Sequence, residues 1–171
     1  MTPRAALPAA APIPMKFAEL TPGRSITVGP ATVSEDEVLA FARDYDPQWF
    51  HADPARAAQG PWKGLIASGW QTCGIAMKLV VTQILADSES FGSPGLAYLK
   101  WEHPVRPGDV LYVTIDVKER RVATSKPTLG IVRWRWRVRN QLAAVVLDLE
   151  ATSLFDLAPA ADAVAATPPP A

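Results

Sequence analysis

What most constrains the fold of this chain is a change of hydrophobic period near residue 90. From Leu65 to about Leu85, apolar side chains (Leu65, Ile66, Ala67, Cys73, Ile75, Ala76, Met77, Leu79, Val80, Val81, Ile84 and Leu85) occupy most of the circumference of a helix. That pattern predicts a long buried helix. After the loop "DSESFGSPG" the period falls to two. Residues 95–103 and 109–120 predict two strands, "IVRWRWRVRN" a third and "LAAVVLDLEATSLF" a fourth. "RPGD" at 106–109 and "NQ" at 140–141 supply turns between them. An antiparallel meander with one apolar face needs a cover, and the buried helix is the natural one. The expected class is α+β.

The segment before the helix is read from its turn chemistry. "RSITVG", residues 24–29, predicts a short strand. In "SEDEVLAFARDYD", Ser34 and Glu37 have the spacing of a capping box, and Val38, Leu39, Phe41 and Ala42 share one helical face. Pro47 disfavours helix at the residue before it, so this helix ends near Tyr45. "YDPQWFHAD", residues 45–53, is then expected to be a loop. Asp53 has the character of an N-cap, with Pro54 opening a short turn that runs through Ala58. Gly60 and Gly64 free the approach to the long helix for close backbone contact.

A chain of 171 residues suffices for one domain with a real core. Residues 1–14 and 158–171 are alanine- and proline-rich and predict disordered arms, leaving 15–157 as the folded unit. The prolines near the start interrupt any leader-like apolar run. Lysine plus arginine and aspartate plus glutamate each number 17, so the formal charge is zero. That balance removes the simplest argument for nucleic acid or an anionic membrane as partner. No apolar run approaches the ~20 residues of a spanning helix. Cys73 is the one cysteine; it reads as a small core residue, and a cytoplasmic location follows by default.

Arginine alternating with tryptophan at 133–139 resembles a stacking surface for RNA. In a strand, however, rings and guanidiniums point to opposite faces and form no common surface. The plain reading puts Trp134 and Trp136 in the core and the arginines in solvent, paired with Asp116, Asp148 or Glu150 across the sheet.

The chemistry concentrates in two residues. The chain has two histidines. His103, before a proline at a strand end, reads as structural. His51 follows Asp46 by five residues between proline-constrained turns. An imidazole oriented by a carboxylate, or sharing a water with it, suits proton transfer near neutral pH. Two such residues are too few for a metal site. On residue types alone, a shaped loop and a catalytic pair both remain open.

Three landmarks add to this. "YDPQWFHAD", "GLIASGW" and "HPVRPGDVL", in this order and spacing, resemble the MaoC-like (R)-specific enoyl-CoA hydratase family over nearly all of residues 15–157. The resemblance implies a hot-dog fold, a long helix wrapped by an antiparallel sheet. It implies reversible addition of water to a trans-2-enoyl thioester, giving a 3-hydroxyacyl thioester, with Asp46 and His51 holding and activating the water. It also implies a backbone donor for the thioester oxygen, placed at Gly64. The family's serine that bonds the catalytic aspartate falls at Gly69, with Ser68 one residue early as its candidate replacement. Gln48 stands where the family usually has asparagine. No cofactor is implied beyond the acyl-CoA (or acyl carrier protein-bound) substrate, and the usual assembly is a homodimer or a dimer of dimers. Lys63, Lys100 and Arg106 are candidates for the CoA phosphates. Trp49, Trp62 and Trp70 are candidates for either core anchors or walls of the acyl channel.

Two rival readings stay open. A hot-dog thioesterase would place an acid on the long helix, and Leu65–Leu85 contains none. A non-catalytic acyl-thioester binder would not need the Asp46–His51 pair.

Overall fold

A computed structural model describes residues 14–158; the two expected arms lie almost wholly outside the described residues. Five antiparallel strands form one sheet: β1 (Ser25–Thr32), β2 (Ser90–Trp101), β3 (Val110–Ala123), β4 (Lys126–Arg139) and β5 (Val145–Asp156). Their spatial order is β1-β3-β4-β5-β2. The expected meander therefore holds only from β3 to β5. β2 pairs with β5 and not with β3, so the β2–β3 connection crosses the sheet. Period-two patterning sets which face of a strand is buried and leaves its neighbour open.

The alternation in β4 works as expected. Val132, Trp134 and Val138 are fully buried and Trp136 nearly so. On the opposite face Arg133 pairs with Glu150, Arg135 with Asp148 and Arg137 with Asp116. Burial of core side chains such as Ile115 and Leu147 stabilises the domain by roughly 1.5–3 kcal/mol each.

Among the described residues four α-helices precede β2: α1 (Glu35–Tyr45), α2 (Trp49–Ala52), α3 (Pro54–Gln59) and α4 (Gly69–Val80). α1 carries the expected capping box, with the Glu37 N–H donating to Ser34 Oγ and Glu37 Oε2 accepting from the Ser34 N–H. Asp53 caps α3 through the Arg56 N–H, with Pro54 in the first turn.

The long helix is shorter than its apolar run. α4 begins at Gly69 and ends in a π-helical turn, Val81–Leu85. Leu65, Ile66 and Ala67 are buried outside any helix or strand: the Ile66 N–H donates to the Phe50 carbonyl and the Ala67 N–H to the Val105 carbonyl. Hydrophobicity fixed their burial; these two tertiary hydrogen bonds fixed their conformation. Ala76 and Val80 on α4 are fully buried in the core shared with the sheet.

Candidate active site

Asp46 is the C-cap of α1, held at φ −148°, ψ 70°, outside the helical region that Pro47 disfavours. Its carboxylate thereby leaves the helix axis. His51 then follows in α2, a single helical turn, where the sequence predicts a loop. That turn buries His51 to 5% exposure and brings its imidazole back to Asp46. Ser68, the N-cap of α4, completes the group. Three elements thus meet: the C-cap of α1, the short turn α2, and the N-cap of α4.

The carboxylate and the imidazole are each held by hydrogen bonds. Gln48 Nε2 donates to Asp46 Oδ1 at 2.8 Å and Ser68 Oγ donates to Asp46 Oδ2 at 2.7 Å. Ser68 Oγ also accepts from the Trp70 N–H at 3.2 Å, capping α4. His51 Nδ1 lies 2.7 Å from the Ile66 carbonyl oxygen. A carbonyl only accepts, so Nδ1 carries the proton and Nε2 faces Asp46 Oδ2 at 3.4 Å. Burial opposes the charged form of Asp46. The hydrogen bonds from Gln48 and Ser68 oppose that cost, and the carboxyl is held below its ordinary range. An ionised carboxylate and a neutral Nε2 are both acceptors. A water donating one O–H to each satisfies both.

The backbone donor that the sequence reading places at Gly64 falls at Gly69 instead. The Gly64 N–H is already bonded to the Ala57 carbonyl at 3.0 Å, and Gly64 lies outside the cleft at φ +141°. Gly69, not Leu65, opens the helix, and its N–H takes part in no hydrogen bond among the described residues. Helix N-terminal N–H groups of this kind favour negative charge. Gly69 lines the same cleft as Asp46, His51 and Ser68. Its missing side chain is required: a Cβ would sit 2.4 Å from the Trp101 ring.

The cleft measures about 370 Å³, the scale of a ligand site and not of a water-sized void. Its floor is apolar, with Ala67, Val105 and Val146 buried. Its rim carries Trp62, Trp70 and Trp101, all substantially exposed, with Trp70 and Trp101 edge-to-face at 5.3 Å. Trp49 lies elsewhere, against Gly60 and beneath Arg56. Among the three basic candidates, Arg106 donates to the Trp62 carbonyl at 2.5 Å and braces that wall. Lys100 sits over the Tyr98 ring, two residues along β2 and so on the sheet face of Tyr98. Trp101, Glu102 and His103 also line the cleft, although the sequence reading passes over the first two and takes His103 as structural. They arrive through the β5–β2 pairing, which no local pattern encodes. Burial pushes the half-buried Cys73 thiol up, which keeps it un-ionised.

A helix packed in a five-stranded antiparallel sheet defines a hot-dog domain. The chain belongs to the MaoC-like domain family, whose model matches residues 17–133. A MaoC-like dehydratase from Rhodospirillum rubrum is 33% identical, with a TM-score of 0.77 over 83% of this chain and 97% of that one. An unliganded R-hydratase from Pseudomonas aeruginosa is 28% identical, with a TM-score of 0.69 over 82% of this chain and 84% of that one. The uncharacterized protein YdeM of Bacillus subtilis is 29% identical over 141 residues, which is 82% of this chain and 99% of YdeM.

Proposed function

We propose that the protein adds water reversibly to a trans-2-enoyl thioester, with Asp46 and His51 as the proton-handling pair. The observation that carries this is the placement of two acceptors, Asp46 Oδ2 and His51 Nε2, 3.4 Å apart in the cleft that also holds the free Gly69 N–H. A water held between the acceptors gives its oxygen to the β carbon and one proton to the pair. Charge moves to the thioester oxygen, where the Gly69 N–H stabilises it without reorganisation. The pair then returns a proton to the α carbon. Water is consumed, no net proton is released, and dehydration is the same path reversed. The dehydratase and R-hydratase relatives support this reaction class.

The Trp-lined rim favours compact acyl groups, and CoA or a carrier protein delivers them. β2 is an edge strand whose Phe91 and Leu96 are exposed, and this supports assembly with a second copy. The thioesterase reading has no acid on α4 to use. The test follows loss of enoyl absorbance with crotonyl-CoA for the wild type and Asp46→Asn. Turnover that collapses in the folded variant is the expected result. Equal rates in the two proteins would remove Asp46 from the chemistry.

A further inference from the structure

Both histidines of the chain line this one cleft, and both are fixed in the same way. His51 Nδ1 donates to the Ile66 carbonyl, and His103 Nδ1 donates to the Val145 carbonyl at 2.8 Å. Each ring is therefore held in the tautomer that frees Nε2. The Nε2 of His51 faces Asp46; that of His103 has no partner among the described residues. Pro104 follows His103, and the Glu102 N–H is bonded to the Val146 carbonyl, so the ring stands on constrained backbone.

The position of His103 says what it meets. If the thioester oxygen lies at the Gly69 N–H, the acyl group takes the closed floor of Ala67, Val105 and Val146. The sulfur side must leave over the exposed rim, because it is tied to a carrier too large for the cleft. At that rim the neutral imidazole Nε2 is an acceptor, and its neighbour Glu102 is an acceptor too. Acceptors read donors. The His103 and Glu102 pair repels rather than binds a phosphate or a carboxylate, and it suits an N–H. Every pantetheine thioester carries one, in the amide two methylenes from the sulfur, whether the arm belongs to CoA or to a carrier protein.

We propose that His103 is a substrate-binding residue whose Nε2 accepts a hydrogen bond from the pantetheine amide nearest the thioester sulfur. The inference rests on the hydratase reading and deepens it. It assigns His103 to the carrier arm, leaving the chemistry to Asp46 and His51.

The experiment changes the substrate and the protein in turn. Crotonyl-N-acetylcysteamine keeps the amide N–H; the matching oxygen ester lacks it. At pH 8, wild-type kcat/KM should fall roughly 3- to 10-fold from amide to ester, the ratio expected of one neutral hydrogen bond. His103→Leu, checked for fold by circular dichroism, should lose a similar factor with the amide and nothing further with the ester. Parallel assays with crotonyl-CoA and crotonyl-carrier protein identify the carrier, since the His103 loss should accompany whichever is used. Equal wild-type rates with amide and ester, or an undiminished preference in His103→Leu, would overturn the contact. Absence of wild-type turnover with every crotonyl thioester would overturn the hydratase reading and this inference with it.

Discussion

Replacing Ser68 with alanine removes two hydrogen bonds made by one hydroxyl, and their consequences separate. The first is the cap on α4, Trp70 N–H to Ser68 Oγ. Loss of a serine N-cap costs about 1 kcal/mol, or about 3 °C in Tm for a domain of this size. The second is the 2.7 Å bond to Asp46 Oδ2. A hydrogen bond to a charged group contributes about 1.5–3 kcal/mol. If the transition state uses that held carboxylate, kcat falls by about ten- to a hundredfold. The bond also favours the ionised form, so its loss raises the Asp46 pKa from its depressed position. Asp46 must be ionised to accept from water, so the acid limb of the kcat/KM profile moves to higher pH. Thermal melts and a pH–rate profile on both proteins measure the two effects. A lower Tm with unchanged kcat and an unmoved acid limb would show that Ser68 only caps the helix, and would refute its hold on Asp46.

Gly69→Ala places a Cβ against the Trp101 ring and forces the indole away. We expect about 1–3 kcal/mol of destabilisation, an altered near-ultraviolet circular dichroism signal from the Trp70–Trp101 pair, and lower kcat/KM. Alanine at Trp62, Trp70 or Trp101 should extend the range of acyl lengths turned over, and alanine at Trp49 should not; four identical length profiles would exclude the rim as a specificity wall. On the outer sheet face, hydrogen bonds from Arg135 outweigh burial and hold Asp148 below the usual carboxylate range. A folded-state pKa below the unfolded one contributes stability above the unfolded value and loses it as pH falls through the folded one. Stability should therefore drop below about pH 4, the ordinary value for an aspartate, and Asp148→Asn should flatten that drop in denaturant titrations.

Local pattern carried much of the fold. The capping box of α1, the Asp53-Pro54 start of α3 and the two faces of β4 follow from backbone chemistry and side-chain period, which act over a few residues. The pair Asp46 and His51 was legible for the same reason, since a proline turn and one short helix bring them together. Ser68 was legible only as one of two adjacent positions, because the residue that caps α4 depends on where that helix begins.

The sequence by itself determined an α+β domain, a buried helix, a sheet with one apolar and one charged face, and an acid–histidine pair. Tertiary structure alone decided that Leu65–Ala67 lie outside the helix, that β2 pairs with β5, and that Gly69 and not Gly64 offers the free N–H. It alone brought Trp101 and His103 to the cleft. The physical reason is common to all four. An apolar side chain is buried equally well in helix or strand, and a backbone N–H bonds equally well to a near or a distant carbonyl. The choice between them is made by the partners that long-range packing supplies.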